Sequence, residues 1–213
     1  MFRSEQGMKI IKLEVGQLGA NCYIAYCEKT LSGAVIDPGG NGKEIINIIR
    51  RENIKLIYII NTHGHADHIA ANDEIKEATG ASVLIHSADA NMLVSAQDNL
   101  SAHIGNNLIC QPADRLLNDG DIIMVGEIEF QVIHTPGHTL GGICVKANGV
   151  LFSGDTLFFQ SIGRTDFPKG SHSQLISSIK NKLLTLADNV IVLPGHGEAT
   201  TIGDERDTNP FIQ

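Results

Sequence analysis

Apolar and polar residues alternate over positions 8–15, the period of a half-buried strand, and further strands follow at 21–27 and 34–37, separated by Gly and Ser. Asp37-Pro38-Gly39-Gly40 is a turn signal that stops the third of them. Over 43–53 the period changes, with Ile45, Ile46 and Ile49 on one helical face and charged residues elsewhere. Residues 56–60 are almost continuously apolar, as in a strand covered on both faces. A helix over 69–79 closes at Gly80, and a short strand at 82–85 leads into a helix ending near Val94. Residues 97–113 have no period and are rich in Asn, Gln and Ser, which predicts a long surface loop of the kind that carries binding residues or a lid.

A second strand-rich block spans 121–125, 128–133, 143–146 and 150–152, with turns at Asn118-Asp119-Gly120 and Asn148-Gly149. A helix over 174–186 and a buried strand over 190–193 complete the pattern. No linker divides the chain. Two halves, each made of strands followed by strand–helix units, predict an α/β fold in which two mixed sheets pack face to face with helices on the outer faces. Residues 8–213 are expected to form that single domain, and 1–7 an unstructured extension.

Composition narrows the function. The 213 residues carry a net charge of −8, and the one adjacent basic pair, Arg50-Arg51, falls in the first helix, so a nucleic-acid partner is not expected. No apolar run reaches the ~20 residues of a membrane span, and no signal-peptide core opens the chain, so no membrane partner and a cytoplasmic location are expected. Cys22, Cys27, Cys110 and Cys144 lie far apart, without a Cys-x-x-Cys pair, and read as buried thiols in a reducing compartment. Nothing in the sequence sets the oligomeric state.

The nine His residues are not evenly spread. Thr62-His63-Gly64-His65-Ala66-Asp67-His68 follows the apolar strand directly. Three imidazoles and a carboxylate so close together would be costly in a metal-free core, and they suit a metal-ligating loop at a strand end. His138 in His134-Thr135-Pro136-Gly137-His138, Asp155 in Ser153-Gly154-Asp155-Thr156 and His196 in Pro194-Gly195-His196-Gly197 each follow an apolar strand beside Gly. His86 and His134 read as packed strand ends, and His103 and His172 as loop and helix-start residues with Ser171 or Ser173 as cap. Tyr23 and Phe159 read as core.

The His-x-His-x-Asp-His motif at 63–68, the Asp-Pro-Gly turn at 37–39 and the later His, Asp and His resemble the metallo-β-lactamase superfamily over nearly the whole chain. The resemblance implies a four-layer αβ/βα sandwich with a dinuclear metal site. His63, His65 and His138 would hold one metal, Asp67, His68 and His196 a second, and Asp155 would bridge them, with Asp37 as a supporting turn residue. Two divalent ions are expected, Zn first, with Fe or Mn also compatible. β-Lactamases of this fold usually carry Cys at the position of Asp155, flavodiiron proteins carry Glu at that of His65, and RNA-processing members add a domain or exosite, so lactam hydrolysis, flavodiiron chemistry and RNA processing are not expected. The chain is most similar to the glyoxalase II group, the hydroxyacylglutathione hydrolases, through Gly154-Asp155-Thr156-Leu157-Phe158, Ser161-Ile162-Gly163-Arg164-Thr165-Asp166 and the tail from Gly203 to Phe211. Only 17 residues follow His196, so the C-terminal glutathione-binding domain of the full-length enzymes is not expected.

The likeness implies a small-molecule thioester substrate of the S-lactoylglutathione type, attacked by a metal-bound hydroxide. Asp67 and Asp155 would be the catalytic carboxylates, and Arg164 would meet a thiol carboxylate or, alternatively, satisfy loop carbonyls. A persulfide dioxygenase with one Fe on His63, His138 and Asp155 is the alternative enzyme, and a metal-binding protein without turnover the alternative outside catalysis.

Overall fold

The structure is a computed structural model and describes residues 2–3 and 7–213. One sheet has seven strands in chain order: β1 (Phe2–Arg3), β2 (Met8–Val15), β3 (Ala20–Cys27), β4 (Ser32–Ile36), β5 (Lys55–Ile60), β6 (Ser82–His86) and β7 (Arg115–Leu117). Antiparallel pairing from β1 to β4 gives way to parallel pairing from β4 to β7. The parallel steps are crossed by α1 (Gly42–Arg51), by α2 (Ala66–Ile69) with α3 (Asn72–Thr79), and by α4 (Ala90–Leu93) with the 97–113 segment.

The second sheet is built from β8 (Ile122–Val125), β9 (Ile128–His134), β10 (Ile143–Ala147), β11 (Val150–Gly154), β14 (Ile191–Pro194) and β15 (Thr200–Thr201), in the order β15-β14-β11-β10-β9-β8. Between β11 and β14 lie a small hairpin, β12 (Leu157–Phe158) with β13 (Ser161–Ile162), and α5 (His172–Ser178); α6 (Ile202–Thr208) follows β15. Both sheets are mixed, as expected. The Asn148-Gly149 turn joins β10 and β11 with both residues at positive φ, the mirror-image turn that suits strand twist.

Period two explains the layers. Along β3, Tyr23, Ala25 and Cys27 face the other sheet, whereas Cys22, Ile24 and Tyr26 face the helices. Val150 and Phe152 of β11 join the core between the sheets, and Leu151 turns outward beneath α5. Three cores therefore separate four layers, with α1 and α3 over one sheet and α5 over the other.

Several local expectations are corrected. Within 1–7, Met1 and residues 4–6 lie outside the described residues, but Phe2 and Arg3 pair with Ile10 and Lys9, because the free edge of β2 offers unpaired backbone groups. The helix expected over 69–79 breaks at Ala70–Ala71, where Ala71 N donates to Pro38 O (2.9 Å) instead of continuing the ladder. The helix expected over 174–186 starts at His172, capped by Ser171, and widens into a π turn at Ile179–Leu183. Strands β7, β12, β13 and β15 and helix α6 were not legible in the pattern. Phe159 is half exposed rather than core, whereas Tyr23 is buried against Phe152. The four thiols are free and buried, and no helix among the described residues is long and apolar enough to cross a membrane.

Candidate metal centre

All the proposed ligands sit at strand ends on one rim of the sandwich. His63, His65, Asp67 and His68 follow β5, His138 follows β9, Asp155 follows β11 and His196 follows β14. Each sheet thus contributes from its own loops, and the set is complete only where the two rims meet. Close backbone approach is part of the construction: a Cβ on Gly39 would land on the Asp67 carbonyl, and one on Gly195 would strike Asp155 and His68.

Two clusters result. Metal-ligating atoms of His63, His65 and His138 lie within 4.8 Å of one another, and so do those of Asp67, His68 and His196. Asp155 stands between them, with Oδ2 3.6 Å from His138 Nε2 and Oδ1 3.5 Å from His68 Nε2. Asp67 Oδ2 is 3.3 Å from His196 Nε2. The seven residues singled out in the sequence therefore converge. Arg164 also lines the site; its side chain binds Asp166 through two 2.7 Å contacts and lies 4.0 Å over Phe167, and among the described residues it donates to no loop carbonyl.

The surroundings decide which nitrogens are bare. His138 Nδ1 is 2.7 Å from Arg164 O; a carbonyl can only accept, so the proton is on Nδ1 and Nε2 turns its lone pair toward His65 Nδ1, 3.0 Å away. Thr62 donates its hydroxyl proton to Asp37 Oδ2 (2.6 Å), so its oxygen accepts from His63 Nδ1 (3.2 Å) and His63 Nε2 is left bare. Among the described residues, buried His63 Nε2, both ring nitrogens of His68 and Asp155 Oδ1 have no partner at hydrogen-bond geometry. Buried polar atoms left without a partner are costly unless something coordinates them, so the donor set fits a pair of metal ions. Asp37 accepts from Thr62 with both oxygens (2.7 Å from N, 2.6 Å from Oγ1), and its Oδ2 lies 3.1 Å from His68 Nδ1, so it braces the edge of the ring opposite Nε2 as a support.

Charge within the site is polarised. Burial, reinforced by neighbouring imidazoles, pushes His63 well down and His65 down to about 3. Burial also opposes a proton on His68, but the carboxylates of Asp155, Asp37 and Asp67 outweigh it and draw that group up to about 10. Burial would raise Asp67, yet the hydrogen bond from His196 and the charge of His68 hold it well below the carboxylate range. The same bond with Asp67 raises His196.

Supporting residues escaped the sequence reading. Asp89, buried, accepts from Thr139 Oγ1 (2.6 Å) and Gly141 N (2.6 Å) and so pins the loop carrying His138. Asn21 Nδ2 donates to Pro194 O (2.9 Å) and Gly197 O (3.0 Å), and Tyr23 donates to Pro194 O (2.7 Å), which clamps the turn carrying His196. Asn99 is buried within the predicted surface loop, and its carbonyl accepts from Ala66 N (3.0 Å), between two candidate ligands. No sequence signal marks an isolated Asp or Asn as buried. His86 and His134 are stacked 4.0 Å apart, outside the site, and His103 contacts Gln97.

Residues 15–196 match the family model described as the metallo-beta-lactamase superfamily. The chain belongs to the metallo-β-lactamase superfamily. Among relatives of this superfamily, hydroxyacylglutathione hydrolase GloC of Haemophilus influenzae is 36% identical over 209 residues, covering 96% of this chain and 98% of that protein. The crystal structure of the BLEG-1 B3 metallo-β-lactamase superposes with a TM-score of 0.92 at 38% identity, covering 96% of this chain and 99% of that one. TTHA1623 in a di-iron-bound form gives a TM-score of 0.82 at 31% identity, covering 94% and 99%. The protein is thus a metallo-hydrolase of the superfamily fold, with buried His and Asp clusters suited to a binuclear site.

Proposed function

We propose that the protein is a thioester hydrolase of the hydroxyacylglutathione type, with His63, His65 and His138 holding one metal ion, Asp67, His68 and His196 the other, and Asp155 bridging. The observation that carries this reading is an orphaned imidazole nitrogen in each cluster, His63 Nε2 in one and His68 Nε2 in the other, with Asp155 between them. Bound there, two divalent ions would supply a hydroxide near neutral pH and polarise the carbonyl under attack.

The chain's own residues do the rest. Asp67, held anionic, accepts a hydrogen bond from the attacking water and orients it toward the carbonyl. The contact from His138 Nδ1 to Arg164 O fixes the tautomer, so that Nε2 remains a ligand throughout. A thioester suits a site without a strong general acid, because its thiol leaves as a thiolate of pKa about 8.5. The likeness to GloC at 36% identity supports the hydroxyacylglutathione class.

The test pairs elemental analysis of natively purified protein with hydrolysis of S-lactoylglutathione, followed by thiol release. Near two metals per chain and metal-dependent thiol release are expected. One Fe with persulfide-dependent oxygen uptake would overturn the hydrolase, and bound metal without turnover would point to a storage role. Lactam hydrolysis is a second reading, favoured by the 38% identity to a protein described as a B3 metallo-β-lactamase; ring opening of a chromogenic cephalosporin faster than thioester cleavage would establish it.

A further inference from the structure

The metal clusters form the floor of an open cleft of about 980 Å³, to which His65, Asp67, Asp155 and His196 contribute. That is the size of a site for a whole small molecule rather than for a short acyl group alone. Its walls are chiefly aliphatic and aromatic, and they come from three separate segments. Leu18 projects from the turn between β2 and β3, Leu100, Ile104 and Leu108 from the 97–113 loop, and Phe158 and Ile162 from the β12–β13 hairpin.

Leu18 is 63% and Ile104 69% exposed. Single exposed apolar side chains are ordinary, but several converging on the concave mouth of a reactive site form a binding surface. The 97–113 wall is held in place from within. Asn99 Nδ2 donates to Met92 O and Leu108 O (3.0 Å each), its Oδ1 accepts from Ser101 N (3.0 Å), and Leu100 is kept at φ +68°. A branched residue stays in that left-handed region only where its surroundings enforce it.

Charge in the cleft points the same way. Among the described residues, Arg164 is the only Lys or Arg lining the cleft, and Asp166 already neutralises it through two contacts. Glutathione carries two carboxylates, and the walls offer them no further fixed cation.

We infer that this cleft selects thioesters bearing an apolar arm, aryl or medium-length alkyl, with Leu18, Leu100 and Ile104 as specificity-determining residues. The inference rests on the thioester part of the reading above and moves recognition from the glutathione moiety to an apolar arm. A polar thioester of the same class reaches the metal floor but leaves the apolar walls uncovered. Each methylene laid against them adds about a two- to fourfold gain in kcat/KM, the upper value being full burial.

The experiment uses the metal-loaded protein and three series. The first varies the acyl group from acetyl to octanoyl and phenylacetyl on the uncharged thiol N-acetylcysteamine. The second keeps the acyl group and places the alkyl or aryl arm on the thiol, which shows which half of the substrate carries it. The third compares glutathione with N-acetylcysteamine for one acyl group. We expect kcat/KM to rise with chain length in one of the first two series, and loss of the glutathione moiety to cost less than about threefold. L18S and I104S should flatten the chain-length slope while keeping the wild-type melting temperature, because both side chains are exposed.

A flat or falling slope in both series, or a rising slope that both variants leave intact, would overturn the inference. Failure of the reaction reading is seen separately, by calorimetric titration of metal-free protein with methyl, hexyl and octyl thioether analogues, which cannot be hydrolysed. Tighter binding of the octyl analogue, lost in I104S, with no thioester cleaved would sustain the apolar arm and overturn the thioesterase. Equal binding of all three would overturn the arm itself.

Discussion

Removing the Asp89 carboxylate tests whether a residue that touches no candidate ligand sets the geometry of the centre. It is buried, and burial raises its carboxyl above the usual range, so the charge is held there at a cost. In return it accepts from Thr139 Oγ1 and Gly141 N, both at 2.6 Å, on either side of the turn that follows His138. Asp89→Ala strands both donors, and at about 1–3 kcal/mol for each buried unsatisfied group the fold should lose about 2–6 kcal/mol. Asp89→Asn keeps an oxygen for Gly141 N, lets Thr139 turn its hydroxyl to accept, and removes the buried charge, so about 1 kcal/mol is expected. Because the lost contacts anchor the His138 loop, Asp89→Ala should also weaken metal binding about 10- to 100-fold, as loss of a ligand-orienting partner does. Guanidinium unfolding of chelator-treated protein reads the first effect, and titration against a chromogenic chelator the second. Asp89→Ala within about 0.5 kcal/mol of wild type and with unchanged metal affinity would refute the reasoning.

Other outcomes follow from the same geometry. Asn21→Ala removes both side-chain bonds to the His196 turn and should cost about 1–3 kcal/mol, with the second metal equivalent lost before the first in a chelator titration. Burial and the charge of His134 lower His86 to about 4, so the unfolded chain takes up its proton first as pH falls from 6.5 toward 4. Stability of the metal-free protein should fall across that window, and His86→Asn should remove about 2–3 kcal/mol of the loss, read by urea unfolding at stepped pH. Stripping metal should lower the melting temperature without unfolding the chain; loss of the β-sheet circular dichroism signal on chelation would refute this.

The layers were legible because both periods persist over whole elements. The alternation at 8–15 and the continuous run at 56–60 are direct records of one- and two-sided burial. The ligands were legible for a chemical reason, since three imidazoles within six residues have little use except coordination. What escaped was set by tertiary contacts. Strands β12 and β15 are two residues long, and α6 rests on the buried Glu205, which accepts from Thr200 Oγ1, Gln160 N and Asn209 Nδ2. Asp89, Asn21 and Asn99 are polar residues whose partners lie on backbone brought near by other elements. Local pattern carries no trace of such partners, so the reading reached the ligands and missed their supports.

The division of the ligands between the halves says which part of the structure builds the other. Four of the seven residues come from the loop after β5 and the first turn of α2, and three from loops of the second sheet, so neither half holds a complete cluster of imidazoles around His138 or His196. The faces that bring them together meet through Phe130, Val132, Val145, Phe152 and Leu193 on one side and Met8, Ile10, Tyr23 and Ile36 on the other. Full burial of such a side chain is worth about 1.5–3 kcal/mol, whereas metal at a hundred times its Kd adds about 2.7 kcal/mol. Packing between the sheets therefore outweighs coordination in assembling the rim. Metal binding acts on a rim already brought together, and the supports at Asp37, Asp89 and Asn21 hold imidazoles that would otherwise repel or reorient in its absence.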